Sequence, residues 1–288
     1  MYRLARLLHE ISICLSRTTL SITTRLRILF AFNLVRVQHL LLGENIPRGG
    51  WKFLGYSLFA SSYANLLTIL REIFLFGDYY FKAANSTPSI IDCGGNIGIS
   101  VLYFKWLYPH SKITVFEPSP LNLGMLRKTI EVNQLTNVTV VEAALSDEEG
   151  TITFWENQTK PGGSTSMQGV HDSKAQNSSL SFTEYPVQAK RLSSFITGRV
   201  DLLKMDIEGA EGSVIKELAE SGALTKIDSV IMEYHHNRAN ISNDLPKLLS
   251  TLHEQGFKTL IYENELSLSS EQLMKQEATH FLLRASQV

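Results

Sequence analysis

Residues 90–98, Ile90-Ile91-Asp92-Cys93-Gly94-Gly95-Asn96-Ile97-Gly98, set a β-branched run directly against a glycine-rich turn, and helical spacing of apolar residues begins at Ile99. A strand turning tightly into a helix is the opening unit of a doubly wound α/β sheet, and its turn is where such sheets hold nucleosides. Gly94, Gly95 and Gly98 let the main chain bend and approach a ligand where a Cβ would collide. The same pattern also serves a tight turn that binds nothing.

Downstream, short β-rich runs alternate with helical patterns, which predicts a parallel sheet wrapped by crossover helices. The predicted strands are Ser89–Cys93, Ile113–Glu117, Val138–Glu142, Asp201–Ile207, Ser229–Tyr234, Lys258–Tyr262 and His280–Arg284. Predicted helices cover Ile99–Leu107, Leu121–Asn133, Ala210–Ser221 and Leu245–Gln255, each with apolar residues three to four apart. An edge strand over Thr151–Trp155 precedes a Ser- and Gly-rich tract, Lys160–Tyr185, that reads as a lid or a passive surface loop. Residues 1–50 read as a basic, amphipathic helical extension, 51–87 as a cap with a hairpin and a helix, and 88–288 as the main domain.

Charge separates the front from the rest. Residues 1–42 carry six Arg and one acid, Glu10, for +5, against −6 for the remainder. Leu4, Leu7, Leu8, Ile11 and Leu15 follow helical spacing among Arg3, Arg6 and Arg17, so this segment could rest on anionic lipid or pack on its own domain. The longest uncharged stretch, Phe53–Leu70, is interrupted by polar residues and falls short of a membrane span. With a net charge of −1 the chain has no global field for a phosphate backbone, so nucleic acid is not an expected partner. Two cysteines, Cys14 and Cys93, build no disulfide framework, which points to a reducing, cytoplasmic setting. Asn137 opens an Asn-x-Thr triplet, but it leads into a strand read as buried, where a glycan would not fit.

Glu117 ends the second predicted strand, 19 residues after Gly98, and is followed by Pro118. A carboxylate there can accept both ribose hydroxyl hydrogens. Those features also suit a nicotinamide-dependent oxidoreductase. The turn, however, spells G-G-x-x-G rather than G-x-G-x-x-G, and Asp92 puts a negative charge where a pyrophosphate would sit. S-adenosylmethionine, with a sulfonium and an ammonium but no phosphate, suits an acid.

Three blocks together resemble the FkbM-type family of S-adenosylmethionine-dependent methyltransferases: Ile91–Gly98 followed by Leu102-Tyr103-Phe104, then Phe116-Glu117-Pro118, and Lys204-Met205-Asp206-Ile207-Glu208-Gly209-Ala210-Glu211. Glu142-Ala143-Ala144-Leu145-Ser146-Asp147 adds to them. The resemblance implies a Rossmann-like class I fold, a seven-stranded, mostly parallel sheet with an antiparallel seventh strand. It implies methyl transfer to a hydroxyl of a sugar-containing, glycolipid or natural-product acceptor. By motif, Asp92, Gly94, Gly95, Asn96 and Gly98 would hold the methionine part, Glu117 and Pro118 the ribose, and Glu142 with Ala143 the adenine edge.

Methyl transfer to a hydroxyl needs aligned reactants and a base. Asp206 could orient the cofactor amine and Glu208 hold or deprotonate the acceptor, with Glu233 and His235 completing the site. Either Glu208 or His235 could be the base. Glu211 reads as an acid favouring a helix N-terminus, and His236 as a surface residue. Asp206, Glu208 and Glu233 could also hold a divalent ion, but the expected site has no metal. A non-catalytic, membrane-associated binding protein of the same fold is the remaining alternative.

Overall fold

The computed structural model describes residues 2–43, 50–157, 165–167, 182–235, 244–263, 266–267 and 280–287. The main sheet contains β3 (Ser89–Cys93), β4 (Lys112–Phe116), β5 (Val138–Val141), β10 (Leu202–Met205), β11 (Ser229–His235), β12 (Phe257–Glu263) and β14 (His280–Gln287). All seven predicted strands are there, within a few residues of their expected bounds. A two-residue strand, β13 (Leu266–Ser267), adds an eighth at the edge, giving the order β13-β12-β14-β11-β10-β3-β4-β5. The neighbours from β5 to β11 run parallel, whereas β14 lies antiparallel between β11 and β12. Strand order reverses beside β3, so the first turn opens at the carboxyl edge of the sheet where a crevice forms.

Alternation along the strands sends side chains to two separate cores. Ile90, Leu202 and Ile231 join one cluster; Ile91, Leu203 and Met232 join the other. The second cluster is closed by α6 (Glu211–Glu220) and α7 (Leu245–Glu254) through Val214, Leu218, Leu248 and Leu252. On the first side lie α4 (Ile99–Leu107) and α5 (Pro120–Val132), which starts at Ser119 with proline in its first turn. The strand read as buried after Asn137 is instead the sheet's outer strand β5, half-buried, with Asn137 exposed.

The front of the chain packs on that same first face. Helices α1 (Tyr2–Ser16) and α2 (Ile22–Leu42), the hairpin β1 (Trp51–Phe53) and β2 (Tyr56–Leu58), and α3 (Tyr63–Leu70) bring Cys14, Phe32, Trp51, Phe53 and Phe74 into one cluster with Ile90 and Phe104. Buried Glu10 bonds Arg36 at 2.7 Å and Arg71 at 2.8 Å, tying α1 to both later helices. After α3 the chain continues as a π-helical turn, Arg71–Phe76, closed by Gly77 at φ 80°. Both cysteines are buried and free.

A second sheet, ordered β6-β9-β7-β8, fills the long interval: β6 (Ala144–Leu145), β7 (Gly150–Asn157), β8 (Thr165–Met167) and β9 (Phe182–Lys190). The strand expected at an edge, Thr151–Trp155, is therefore interior, paired on both sides. Thr165–Met167 and the stretch from Phe182, read as lid or loop, are strands; the rest of that tract lies outside the described residues, as does His236. Among the described residues no helix is long and apolar enough to cross a membrane.

Candidate active site

A cavity opens at the carboxyl edge of β3 and β4. Gly94, Asn96, Glu117, Pro118, Ala143, Asp206 and Glu208, all expected cofactor or catalytic residues, line it. Phe116, Asn122 and Phe154 complete much of the wall, and the last comes from the small sheet.

Two non-glycine residues in the lining adopt left-handed backbone. Asn96 has φ 47°, a conformation its short amide tolerates, and its main-chain N–H donates to Glu117 Oε2 at 2.7 Å. Ser119 N donates to Glu117 Oε1 at 2.9 Å. Burial pushes the Glu117 carboxyl up to about 7, against the pull of these donors. Glu208, at φ 59°, is the strained residue of the loop after β10, the kind of position that clusters at functional sites.

The glycines serve packing more than ligand approach. A Cβ on Gly94 would lie 1.9 Å from the Asp206 carbonyl oxygen, and Gly94 stands at φ 87°. On Gly95 it would meet Val115 Cγ2 at 2.2 Å, and on Gly98, Leu126 Cδ1 at 2.9 Å. Gly95 and Gly98 do not line the cavity; they let the turn sit tightly on β4 and α5.

Asp92 is fully buried beneath the turn, so it does not present its charge to a ligand. Its Oδ1 lies 3.2 Å from Lys204 Nζ, and Ser100 Oγ donates to its Oδ2 at 2.6 Å. Lys204 also donates to the carbonyls of Gly94 at 2.6 Å and Cys93 at 3.2 Å. Burial works against the Lys204 ammonium, but Asp92 and Asp206 outweigh it and hold its pKa above the ordinary value. The pair is thus a buried pin for the turn. The negative charge facing the cavity comes from Glu117, Asp206 and Glu208 instead.

Glu142 is placed away from the expected adenine edge: it is exposed, pairs with Arg127 at 2.8 Å, and does not line the cavity. Ala143 does line the cavity. Glu233 and His235 sit on the far side of Asp206 and Glu208. His235 Nδ1 lies 3.0 Å from Glu211 Oε1, and Nε2 lies 3.5 Å from Glu208 and 3.8 Å from Glu233. Burial lowers the His235 pKa, but the bond to Glu211 and the charge of Glu208 overcome it and bring it to about 9. The surrounding carboxylates thus favour the cationic form of the ring. Burial and the neighbouring Asp206 drive the Glu233 carboxyl well above the usual range.

Asp206, Glu208 and His235 bring one potential metal-ligand atom each within 4.8 Å of the others, and these residues could hold a cation if the ring lost its proton. Three participants escaped the sequence reading. Lys204, inside an otherwise apolar strand, signals a buried anionic partner. Glu211, read as a helix-end acid, is fully buried and accepts from Gly209 N at 3.0 Å, which folds the 206–210 loop around His235. Tyr79, from the cap, donates its hydroxyl to Asp206 Oδ2 at 3.4 Å.

Comparison with known proteins agrees with this geometry. The chain is 29% identical over 222 residues to Methyltransferase 1 of Beauveria bassiana (strain ARSEF 2860), covering 72% of this chain and 87% of the relative. It is 32% identical to methyltransferase sdnD of Sordaria araneosa, over 57% of this chain and 73% of that one. To the 31-O-demethyl-FK506 methyltransferase FkbM of Streptomyces tacrolimicus it is 25% identical, over 70% and 86%. Residues 92–259 match the family described as the Methyltransferase FkbM domain, so the chain belongs to that family and is a methyltransferase.

Proposed function

We propose that the protein transfers a methyl group from S-adenosylmethionine to a hydroxyl of a sugar-containing, glycolipid or natural-product acceptor. One observation carries the reading: among the described residues, the cavity is lined by three acids, Glu117, Asp206 and Glu208, and by no Lys, Arg or His. That lining suits a sulfonium and an ammonium and disfavours a pyrophosphate, which sets aside the nicotinamide alternative. Similarity to a relative named for an O-demethyl substrate supports oxygen as the acceptor atom.

When bound, S-adenosylmethionine supplies the electrophilic methyl group and leaves as a neutral thioether. Glu117 would hold the ribose, Asp206 the amine, and the Gly94 turn the methionine part. In its ionised form Glu233 would remove the acceptor proton: burial and the neighbouring Asp206 make that carboxylate more basic than usual, and it lines a second cleft beside the cavity. Protonated His235, held by Glu211, positions Glu208 and Glu233 and offsets their charge. Incubation with isotopically labelled methyl donor and a cell extract tests this: label should enter a hydroxyl-bearing metabolite or glycan. Confirmed cofactor binding with no labelled product would favour a non-catalytic binding protein.

We also propose that the protein contacts anionic membrane through α2. The sequence pointed to α1, but Ile11 and Leu15 are half-buried there and Cys14 and Glu10 are buried. The outer face of α2 instead exposes Ile22, Leu26, Phe30, Leu34, Val37 and Leu41 at helical spacing, beside exposed Arg27. The +5 charge of residues 1–42 opposes pairing of two such faces and favours anionic lipid. Phe30→Glu should abolish sedimentation with phosphatidylserine vesicles; unchanged sedimentation would refute it.

A further inference from the structure

Behind the wall formed by Tyr79 and Asp206 lies a second, larger cleft of about 1610 Å³. Its floor is Glu233, and its sides come from the α1–α2 turn, the π-helical turn with the following Gly77–Tyr80 loop, and the strands β12 and β14. The two cavities lie on either side of the Tyr79–Asp206 hydrogen bond.

Glu72 and Asp78 face this cleft from one turn, since the Glu72 carbonyl accepts from Gly77 N at 2.9 Å and Asp78 N at 3.1 Å. Two cations are also present; Nη1 of Arg17 and both Nη groups of Arg284 are engaged with the main chain, while Arg17 Nη2 is buried with no hydrogen-bond partner. Arg17 Nη1 donates to the carbonyls of Phe74 at 2.6 Å and Leu75 at 3.2 Å. Arg284 donates to Tyr80 O at 2.5 Å, Gly77 O at 3.1 Å and Asp78 O at 2.7 Å. Glu72, Asp78 and Glu233 nearly balance these charges, so the cleft has no net attraction for a phosphate or an ammonium. Burial pushes Glu72 up to about 7 and Asp78 to about 6, so near neutrality each carboxyl can accept or donate a hydrogen bond. Tyr80 and Tyr262, both half-buried, add aromatic faces for C–H contact.

We propose that this cleft is the acceptor subsite and that Glu72 and Asp78 select an uncharged, polyhydroxylated acceptor whose hydroxyls pair with their carboxyls. The inference rests on the methyl-transfer reading and assigns it a location and two specificity-determining residues. Asp78 is half-buried and Glu72 lies at the exposed rim, so the discrimination falls mainly on ligands that leave the Asp78 carboxyl unmatched. It also makes the α1–α2 turn part of the substrate site, since Arg17 in that turn holds the π-helical turn that carries Glu72.

The test uses the full chain saturated with S-adenosylhomocysteine, whose binding is measured first by calorimetry. Saturation-transfer NMR then compares methyl β-D-glucopyranoside, its phosphate monoester and methyl β-D-glucosaminide. The neutral glycoside should bind at least about tenfold more tightly than either charged analogue. Glu72→Gln with Asp78→Asn should weaken the neutral glycoside by about tenfold while leaving nucleoside affinity within about twofold. Should that pair of changes lower the melting temperature, Tyr262→Ala at the rim provides the second variant, with the same direction expected. Intact nucleoside binding with equal affinities for the three glycosides, or with none bound, overturns this inference alone. Failure of the nucleoside to bind overturns the methyl-transfer reading and this inference with it.

Discussion

The two cavities that meet at Asp206 and Tyr79 are assembled in opposite ways. The proposed cofactor pocket draws on short consecutive segments, residues 94–96, 116–122, 143–145 and 206–208, with Phe154 added from the small sheet. The cleft behind it gathers Arg17, Glu72–Tyr80, Glu233, Tyr262 and Arg284 from across the chain. A ligand shared by many enzymes can be held by local turns whose geometry travels with the motif. An acceptor peculiar to one enzyme is met by a surface that tertiary packing creates, and that surface can change without disturbing the turn.

Substitutions should separate the two halves. Glu233→Gln should lower kcat by roughly 10²–10⁴-fold, the usual weight of a general base, while cofactor affinity stays within about twofold. Steady-state kinetics with calorimetry checks this, and an equal loss in cofactor affinity would place Glu233 on the wrong side of the wall. Lys204→Met should destabilise the fold by about 3–5 kcal/mol, because it leaves Asp92 buried and unpaired. Adding Asp92→Asn should restore most of that loss in urea unfolding; no recovery would mean the two charges do not act as a pair.

The pH response sharpens the comparison further. Glu117, in the cofactor pocket, and Glu72, in the acceptor cleft, both have folded pKa values raised from 4.5 to about 7. The folded state holds their protons more tightly, so their contribution is complete below 4.5 and fades as pH rises through about 7. His235, raised from 6.5 to about 9, contributes fully below 6.5 and loses its contribution as pH rises through about 9. The melting temperature of the ligand-free protein should therefore fall between pH 6.5 and 9, and His235→Gln should flatten that decline. A flat wild-type profile over the window would contradict the charged imidazole. The smallest effect belongs to Glu142→Ala: an exposed ion pair contributes within about 1 kcal/mol, and cofactor affinity should stay within about twofold. A tenfold loss would return Glu142 to the adenine edge.

What could be read from the residues follows the same division. Strand periodicity and the glycine turn located seven of the eight strands of the main sheet, because alternation and tight turns are local properties. Glu117 was legible for the same reason: strand, turn and acid lie in fixed order. The role of Asp92 was not, since an acid at a strand end looks alike whether it faces a ligand or a buried lysine 112 residues later. Gly95 and Gly98 were legible as a tight turn, but the partner in close contact proved to be Val115 and Leu126 rather than a ligand. The pairing of Glu211 with His235, and the entry of Tyr79, Glu72 and Asp78 into the site, depend on contacts between distant segments that no periodicity encodes.

The central claim is that a cavity lined by three acids and, among the described residues, by no basic side chain is selective for a sulfonium nucleoside. Calorimetry of the full chain with S-adenosylmethionine and with NAD tests it most directly. The account predicts saturable binding of S-adenosylmethionine at least about 100-fold tighter than NAD, equivalent to about 2.7 kcal/mol. Binding of NAD with equal or greater affinity would contradict it.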